Sequence, residues 1–442
     1  MINLKEIAAV DIRIDIRELK ELFTNELREK EEEGCDVSFF KEFDIETLRD
    51  DLLEILYVDL LKLKPSDSFS YIEPSTLEEI KKYRPEGPRR LDINLSDEDL
   101  KDKILGGIFG RCAGCLLGKP VEGWTKEEIE KYLNLAGLKE LDYYFPYIES
   151  DEEPFNRIKQ VRNWTAGNID RMVRDDDIDY TILGLHILEN YGEDFTTDDI
   201  AREWLTHLPY LLVYTAERIA YRNLVNGIKP PKTATFMNPY REWIGAQIRA
   251  DIFGYINPGY PEKAGEFAFR DASLSHTKNG IYGEMFISAT IASAFAVGNV
   301  ESAIEIGLTE IPKTSRLYEA INKVIDWCRR ERNWKNVWSK VMEQYGGYHP
   351  VHTINNACFV VLSLILSGGD FEKAITTSVM CGFDTDCNGA TSGSIMGVLL
   401  GYKNLPRRWI EPLNDIVESI VTGFEKTRIS DLGERIFRLI KR

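Results

Sequence analysis

Apolar residues recur along most of this chain at helical spacing. Between Ile45 and Leu63, the residues Leu48, Leu52, Leu53, Leu56 and Leu60 fall on one helix face. The same period predicts helices over Asp179–Asn190, Asp198–His207, Ile354–Leu366 and Phe371–Met380, and charged amphipathic helices over residues 1–63 generally. No run alternates apolar and polar residues between hairpin turns, so the expected fold class is all-α. From Lys64 to Asn94 the pattern breaks, because Pro65, Pro74, Pro85 and Pro88 punctuate polar residues. This reads as an irregular connector or wrapping arm. The expected organisation is therefore an N-terminal helical appendage with its connector, residues 1–95, followed by a compact multi-helix domain, residues 96–442. The Gly- and Pro-rich stretch from Asn226 to Tyr240 is expected to be a long non-helical loop of a kind that often carries function.

Small residues add a second pattern. Ser96, followed by Asp97, Glu98 and Asp99, has the chemistry of a helix start. The helix it opens carries Gly106, Gly110, Gly114 and Gly118, one glycine every four residues. Each costs a helix about 1 kcal/mol relative to alanine, so such a stripe makes sense where another backbone packs against the bare face. Gly389, Gly393, Gly397 and Gly401 repeat the spacing, and Ser288, Ala292 and Ala296 form a third small stripe. Three shaved faces predict a core whose central helices touch closely.

The formal charge is −18, from 73 acidic and 55 basic residues. This disfavours nucleic acid or an anionic membrane as the main partner and favours local cation sites. Met1–Glu6 carries charges where a signal peptide would need an apolar core, and no apolar run of about 18 residues stands out. A cytoplasmic protein without a membrane span is the expectation. Seven cysteines, thinly spread, suggest reduced thiols. Cys112 and Cys115 form a CxxC, but with no second pair or nearby His they are expected to be small buried residues.

The chemistry concentrates in two acidic runs. Asp175-Asp176-Asp177-Ile178-Asp179 places four carboxylates in five residues at the head of an apolar helix. Two charges about 4 Å apart repel by roughly 4 kcal/mol at an effective dielectric near 20, so the run must be splayed, neutralised by Arg171 and Arg174, or hold a cation. One Asp would suffice as a cap; Asp179 is the member left with that plain first-turn role. The second run, Asp384-Thr385-Asp386-Cys387-Asn388-Gly389, opens like an EF-hand loop but offers Ile395 where a bidentate Glu is required. What remains is two Asp clusters at two helix N-termini, suited to hard divalent cations. Glu122 follows the first glycine helix as a further carboxylate. The stretch from Ser273 to Glu284 sets polar and glycine residues ahead of the small-residue helix, and His276, Asn279, Gly280 and Tyr282, with Asn388, are candidate substrate-binding residues. Tyr282, Trp124 and Trp164 either stack on a base or fill core.

Four ordered segments together resemble the ADP-ribosylglycohydrolase family: Gly114-Cys-Leu-Leu-Gly-Lys-Pro-Val-Glu122, Asp175-Asp-Asp-Ile178, Ser275-His276 and Gly382-Phe-Asp-Thr-Asp-Cys387. The resemblance runs from about Leu100 to the C-terminus and leaves the appendage outside. It implies an all-helical fold, two divalent cations (Mg²⁺, or Mn²⁺) and hydrolysis of the glycosidic bond at the anomeric carbon of a small-molecule or protein-linked ADP-ribosyl substrate. Carried over residue by residue, it implies that Asp176, Asp177, Asp384 and Asp386 are metal ligands. Asp175 stands at the position of a Thr or Ser ligand, and Glu122 near the scissile ribose. Glu122, Asp176 and Asp177 are the candidates for deprotonating the attacking water. Three departures stand out: Cys115 replaces an Asp, Cys387 a hydroxyl ligand, and Asp175 the first hydroxyl ligand. The extra carboxylate of Asp175 is expected to offset the oxygen lost at Cys387. Two competing readings are a catalytically inactive, crystallin-like or ligand-binding member of the same fold, and a metal-dependent phosphohydrolase. The second lacks a phosphate-cradling glycine loop followed by Lys-Ser/Thr.

Overall fold

The structure, a computed structural model, describes residues 15–442. Residues 1–14, including the charged Met1–Glu6 stretch, lie outside the described residues. The appendage contains α1 (Ile16–Glu32) and α2 (Asp50–Leu61). The main body is built on α3 (Asp97–Gly118), α4 (Asp176–Tyr191), α5 (Thr197–His207), α6 (Lys278–Ala294), α7 (Thr353–Leu366), α8 (Phe371–Met380), α9 (Thr385–Leu400) and α10 (Ile429–Ile440), with shorter helices between. Strands β1 (Ile416–Glu418) and β2 (Lys426–Arg428) form one antiparallel hairpin, Val417 opposite Thr427. The all-helical expectation is therefore met.

Local chemistry accounts for most boundaries. Ser96 caps α3 by accepting the Asp99 N–H at 3.1 Å, and Thr196 with Asp199 forms a full capping box at the start of α5. Helix α8 spans the predicted residues, whereas α2 is shorter than predicted. Its buried face is Leu53, Leu56, Tyr57 and Leu60, and Leu52 is turned outward. Tyr57 completes a stripe that the leucines alone had put one position off.

The glycine stripes pair with each other. A side chain at Gly106, Gly110 or Gly114 would overlap the carbonyl oxygen of Gly397, Gly393 or Gly389, and the reverse substitutions meet the same backbone. Helices α3 and α9 thus run antiparallel with their backbones in contact. Gly401 departs from the expectation: it caps α9 at φ +79 and faces the Asp102 side chain. Gly118 instead meets the backbone of Thr385 and Asp386. The third stripe serves a different neighbour, since Ser288 donates to the Ala264 carbonyl at 3.0 Å and the Ala292 carbonyl accepts from Gly259.

Among the described residues one helix, Asp97–Val121, is long and apolar enough to cross a membrane, an apolar run that did not stand out in the sequence. This helix lies almost wholly inside the protein.

Helices α1 and α2 form a satellite core with residues from 216–243, among them Ile219, Phe236, Met237 and Trp243. The long loop includes a short helix, Lys232–Thr235, and its second half gives the appendage its platform. The connector runs over the main body: Leu91 N–H bonds the Gly259 carbonyl at 2.7 Å, and Glu73 accepts from Arg316 Nη2 at 2.8 Å.

Candidate metal centre

The paired glycine helices carry the end of α3 to the beginning of α9. Thr385 Oγ1 donates to the Gly118 carbonyl at 2.9 Å. Gly123 N–H bonds the Phe383 carbonyl at 2.8 Å, and Phe383 N–H bonds that of Trp124 at 2.9 Å. The turn requires a left-handed backbone at Gly382 (φ +81) and at Phe383 (φ +68). A Cβ at Gly382 would press within 2.8 Å of the Lys126 nitrogen. A bulky residue held at positive φ marks a site where the surroundings over-determine the backbone.

Asp175 is the N-cap of α4: one carboxylate oxygen accepts the Asp177 N–H at 2.9 Å, and the other is bound by the ammonium of Lys119. Burial pushes this carboxyl up, but Lys119 and the Asp177 amide outweigh it and hold it below its ordinary value. Both oxygens are therefore engaged, so an ion taking Asp175 as a ligand would share its Oδ2 with Lys119 or displace the ammonium. Asp176 is partly open to solvent. Asp177 receives Arg111 Nη2 at 3.0 Å on Oδ1, while its Oδ2 is buried without a hydrogen-bond partner. Arg111 also holds the Asp177 carbonyl, at 2.6 Å, and Asp251, at 2.6 Å. From α9, Asp386 presents Oδ1, likewise buried and unpartnered.

Two thiols face this cluster. The ligating atoms of Cys115, Asp175 and Asp177 lie within 4.8 Å of one another, as do those of Asp177, Asp386 and Cys387. Cys387 also hydrogen-bonds Asp384. Burial first, then the surrounding carboxylates, holds both thiols well above their ordinary range. Cys112, one turn back, is a buried core residue as expected.

Burial and mutual repulsion raise the carboxyls of Asp176, Asp177 and Asp386, and burial raises Asp384. Unpaired buried carboxylate oxygens persist only when a proton or a cation neutralises them. Asp177 Oδ2 and Asp386 Oδ1, with Asp176, Asp384 and the two thiols around them, fit a divalent cation. The two sulfurs are soft donors beside hard carboxylate oxygens.

Glu122 stands at the rim, 4.0 Å from Arg157, with half of its side-chain surface exposed. Burial on its protein side, then Asp384 and Asp175, pushes it up to about 7 against Lys119 and Arg157. Its open half lets solvent screen part of that effect. Asp179 does more than its expected first-turn role. It pairs with Arg174 at 2.8 Å and accepts the Ile420 N–H at 3.0 Å, tying α4 to the chain after β1.

The candidate substrate residues have other partners. Asn279 donates to Glu73 at 2.8 Å and Glu242 at 2.7 Å, and Tyr282 donates to the Pro74 carbonyl. Both therefore dock the connector. His276 is buried beside Ser275 (2.8 Å), and Gly280 lies against the Arg241 carbonyl and the His276 ring. Asn388 is buried next to the acidic turn and donates to Asn356 at 2.8 Å. Trp124 packs in the core with Tyr132 and Phe155, whereas Trp164 faces the Lys119 ammonium at 4.8 Å. Lys119 and Arg111 went unnoticed in the sequence. Arg111 left a signal, being the single charge between Ile104 and Gly118, which demands a buried partner. Lys119 left none, because its neighbour Asp175 is distant in the chain.

Comparison with known proteins places these features in a family. The ADP-ribosylglycohydrolase family profile matches residues 96–442. An uncharacterised protein of Archaeoglobus fulgidus is 23% identical over 345 residues, covering 77% of this chain and all of the relative. An ADP-ribosylarginine hydrolase, Tri1, of Serratia proteamaculans is 35% identical over 68 residues, 15% of this chain and 16% of its own. A solved structure described as an ADP-ribosylglycohydrolase-related protein complex superposes with a TM-score of 0.51 at 18% identity, over 78% of this chain and 99% of that one. With the profile spanning the whole main body and the acidic cluster lying within it, the chain belongs to the ADP-ribosylglycohydrolase family.

Proposed function

We propose that this protein is a divalent-metal-dependent hydrolase that cleaves the N- or O-glycosidic bond at the anomeric carbon of an ADP-ribosyl or related ribosyl substrate. The observation that carries the reading is the pair of buried, unpartnered oxygens, Asp177 Oδ2 and Asp386 Oδ1. They come from two helices whose acidic residues lie more than 200 positions apart (Asp177 and Asp384). Asp176, Asp177, Asp384 and Asp386 would hold the cation, with Cys115 and Cys387 beside them. A divalent cation there supplies positive charge for orienting ribose hydroxyls and lowering the pKa of a water. Arg111 fixes the Asp177 carboxylate from behind. Glu122, its carboxyl pushed up by burial and by the neighbouring Asp384 and Asp175 at the open rim, is suited to take a proton from the attacking water, since a raised carboxyl pKa makes a stronger base.

The name of the Serratia relative puts an N-linked arginine adduct among the first substrates to try. The direct test incubates the protein with Mn²⁺ or Mg²⁺ and a panel of ADP-ribosyl and nucleoside compounds, and follows release of the ribose-containing product. Release abolished by chelator and by Asp384→Ala supports the proposal; inorganic phosphate as the sole product defeats it.

One observation favours a second reading. Lys119 already neutralises Asp175, and two thiols stand where the family resemblance implies oxygen, so the scaffold would serve as a ligand-binding member without turnover. Binding of ADP-ribose with no turnover of any panel member, in any metal, would select it.

A further inference from the structure

A second group of metal-ligating side chains lies apart from the acidic cluster, between α4 and α5. His186 comes from α4, and Glu203 and His207 are one turn apart on α5. Glu203 Oε2 is 3.2 Å from His186 Nε2 and 3.1 Å from His207 Nε2. The two imidazole rings meet edge to face, 4.6 Å between centroids.

Proton placement makes the arrangement informative. His207 Nδ1 is 3.1 Å from the Thr422 carbonyl oxygen, which only accepts, so Nδ1 carries the hydrogen. In the neutral ring Nε2 then presents a lone pair to a carboxylate oxygen that also has only lone pairs. The Asn190 amide nitrogen lies 2.9 Å from His186 Nε2 and 3.4 Å from its Nδ1, so either ring nitrogen can accept from it and either can be left for a metal. Two imidazole nitrogens and one carboxylate oxygen thus lie within 4.8 Å of one another, an arrangement that a cation between them would satisfy.

We propose that His186, Glu203 and His207 bind a zinc ion, or another borderline divalent transition metal, at a site distinct from the acidic centre. A tetrahedral ion with bonds of about 2.0–2.1 Å separates its ligands by roughly 3.3 Å, close to both measured Nε2–Oε2 distances. Two His and one Glu form a familiar zinc donor set with one position left for water. The outer partners are in place too: Tyr191 donates to Glu203 Oε1 at 2.6 Å, and the Thr422 carbonyl orients His207. The side chains are 10–19% exposed, so an ion can enter. His186 is ten residues from Asp176, about 15 Å along α4, so the two sites do not share ligands. The ion would join α4, α5 and the segment after β1, which Asp179 also anchors.

The test uses the full chain freed of metal, carrying Asp384→Ala to weaken the acidic centre. We expect one Zn²⁺ per chain by calorimetry, a Zn²⁺-dependent rise in Tm, and with Co²⁺ the visible bands of a tetrahedral ion with nitrogen and oxygen ligands. His207→Ala and Glu203→Gln should each weaken binding at least tenfold, as removal of one ligand of three requires. The proposal is overturned if the parent chain takes up no Zn²⁺, if bound Co²⁺ shows sulfur charge-transfer bands instead, or if both folded variants bind as tightly as the parent. Imidazole ¹⁵N shifts showing doubly protonated rings that added Zn²⁺ leaves unchanged would assign the positive species to protons and overturn it equally.

Discussion

Lys119 shows how a single side chain changes the chemistry of the acidic cluster. Its ammonium is buried against Asp175, so one negative charge is neutralised before any metal arrives. Replacing it, as in Lys119→Met, leaves a buried carboxylate uncompensated, and the metal-free protein should lose about 3–5 kcal/mol of stability by denaturant unfolding. The same variant should bind Mn²⁺ more tightly, because Asp175 Oδ2 becomes a free donor; a weaker affinity by calorimetry would show that Lys119 assists the ion. Protonation gives a second prediction. Asp176, Asp177, Asp384 and Asp386 have raised pKa values without metal, so they retain protons that a cation must displace. Metal affinity should therefore rise with pH, with proton release visible as a dependence of the calorimetric enthalpy on buffer ionisation heat. For Glu122, the expected loss on Glu122→Gln is about 10²–10⁴-fold in kcat with metal affinity little changed.

At the scale of elements, the α3–α9 contact is what assembles the centre. Alanine at Gly110 or Gly114 would gain about 1 kcal/mol in helix propensity. Its Cβ would collide with the facing backbone, however, and overpacking costs about 1–3 kcal/mol or more when no side chain can move aside. Gly114→Ala is thus expected to lower stability and metal affinity together, since moving the helices apart also separates Gly118 from Thr385 and Asp386. Gly298 is the control, because a Cβ added there would meet nothing within 4 Å: Gly298→Ala should leave both unchanged. These stripes were legible from the four-residue spacing alone, because only a close backbone neighbour offsets repeated glycine. Their pairing was not. Nothing in the spacing says that stripe one meets stripe two while Ser288 and Ala292 meet another segment, nor that Gly401 is a cap.

For the whole molecule, the appendage is held by charge as well as by its satellite core. Arg241 is buried among Glu26 (3.0 Å), Glu33 (3.0 Å) and Glu29 (3.6 Å) of α1 and its end. Arg241→Met strands Glu26 and Glu29, while Glu33 keeps Lys278 at 2.9 Å and Lys30 at 3.4 Å; a loss of about 3–5 kcal/mol is expected, and hydrogen exchange should show α1 and α2 opening before the main body. The same docking gives two residues of the stretch from Ser273 to Glu284 a partner within the chain. Asn279 and Tyr282 are polar residues at a helix start, which in the sequence look ready for a ligand. In the structure their ligand is the chain's own connector, Glu73 and Pro74.

The sequence alone determined the helical class, the helix starts, the glycine faces and the residue types at the two acidic turns. Each of these follows from local physics: periodic burial, capping of free amides, and the cost of glycine and of clustered charge. Tertiary structure alone decided that Lys119 claims Asp175, that Arg111 stands behind Asp177, and that two cysteines look into a carboxylate pocket. It likewise decided that His186 meets Glu203 and His207. Those outcomes depend on electrostatics and lone-pair direction over a few ångströms between residues far apart in the chain, and sequence spacing carries no record of such distances.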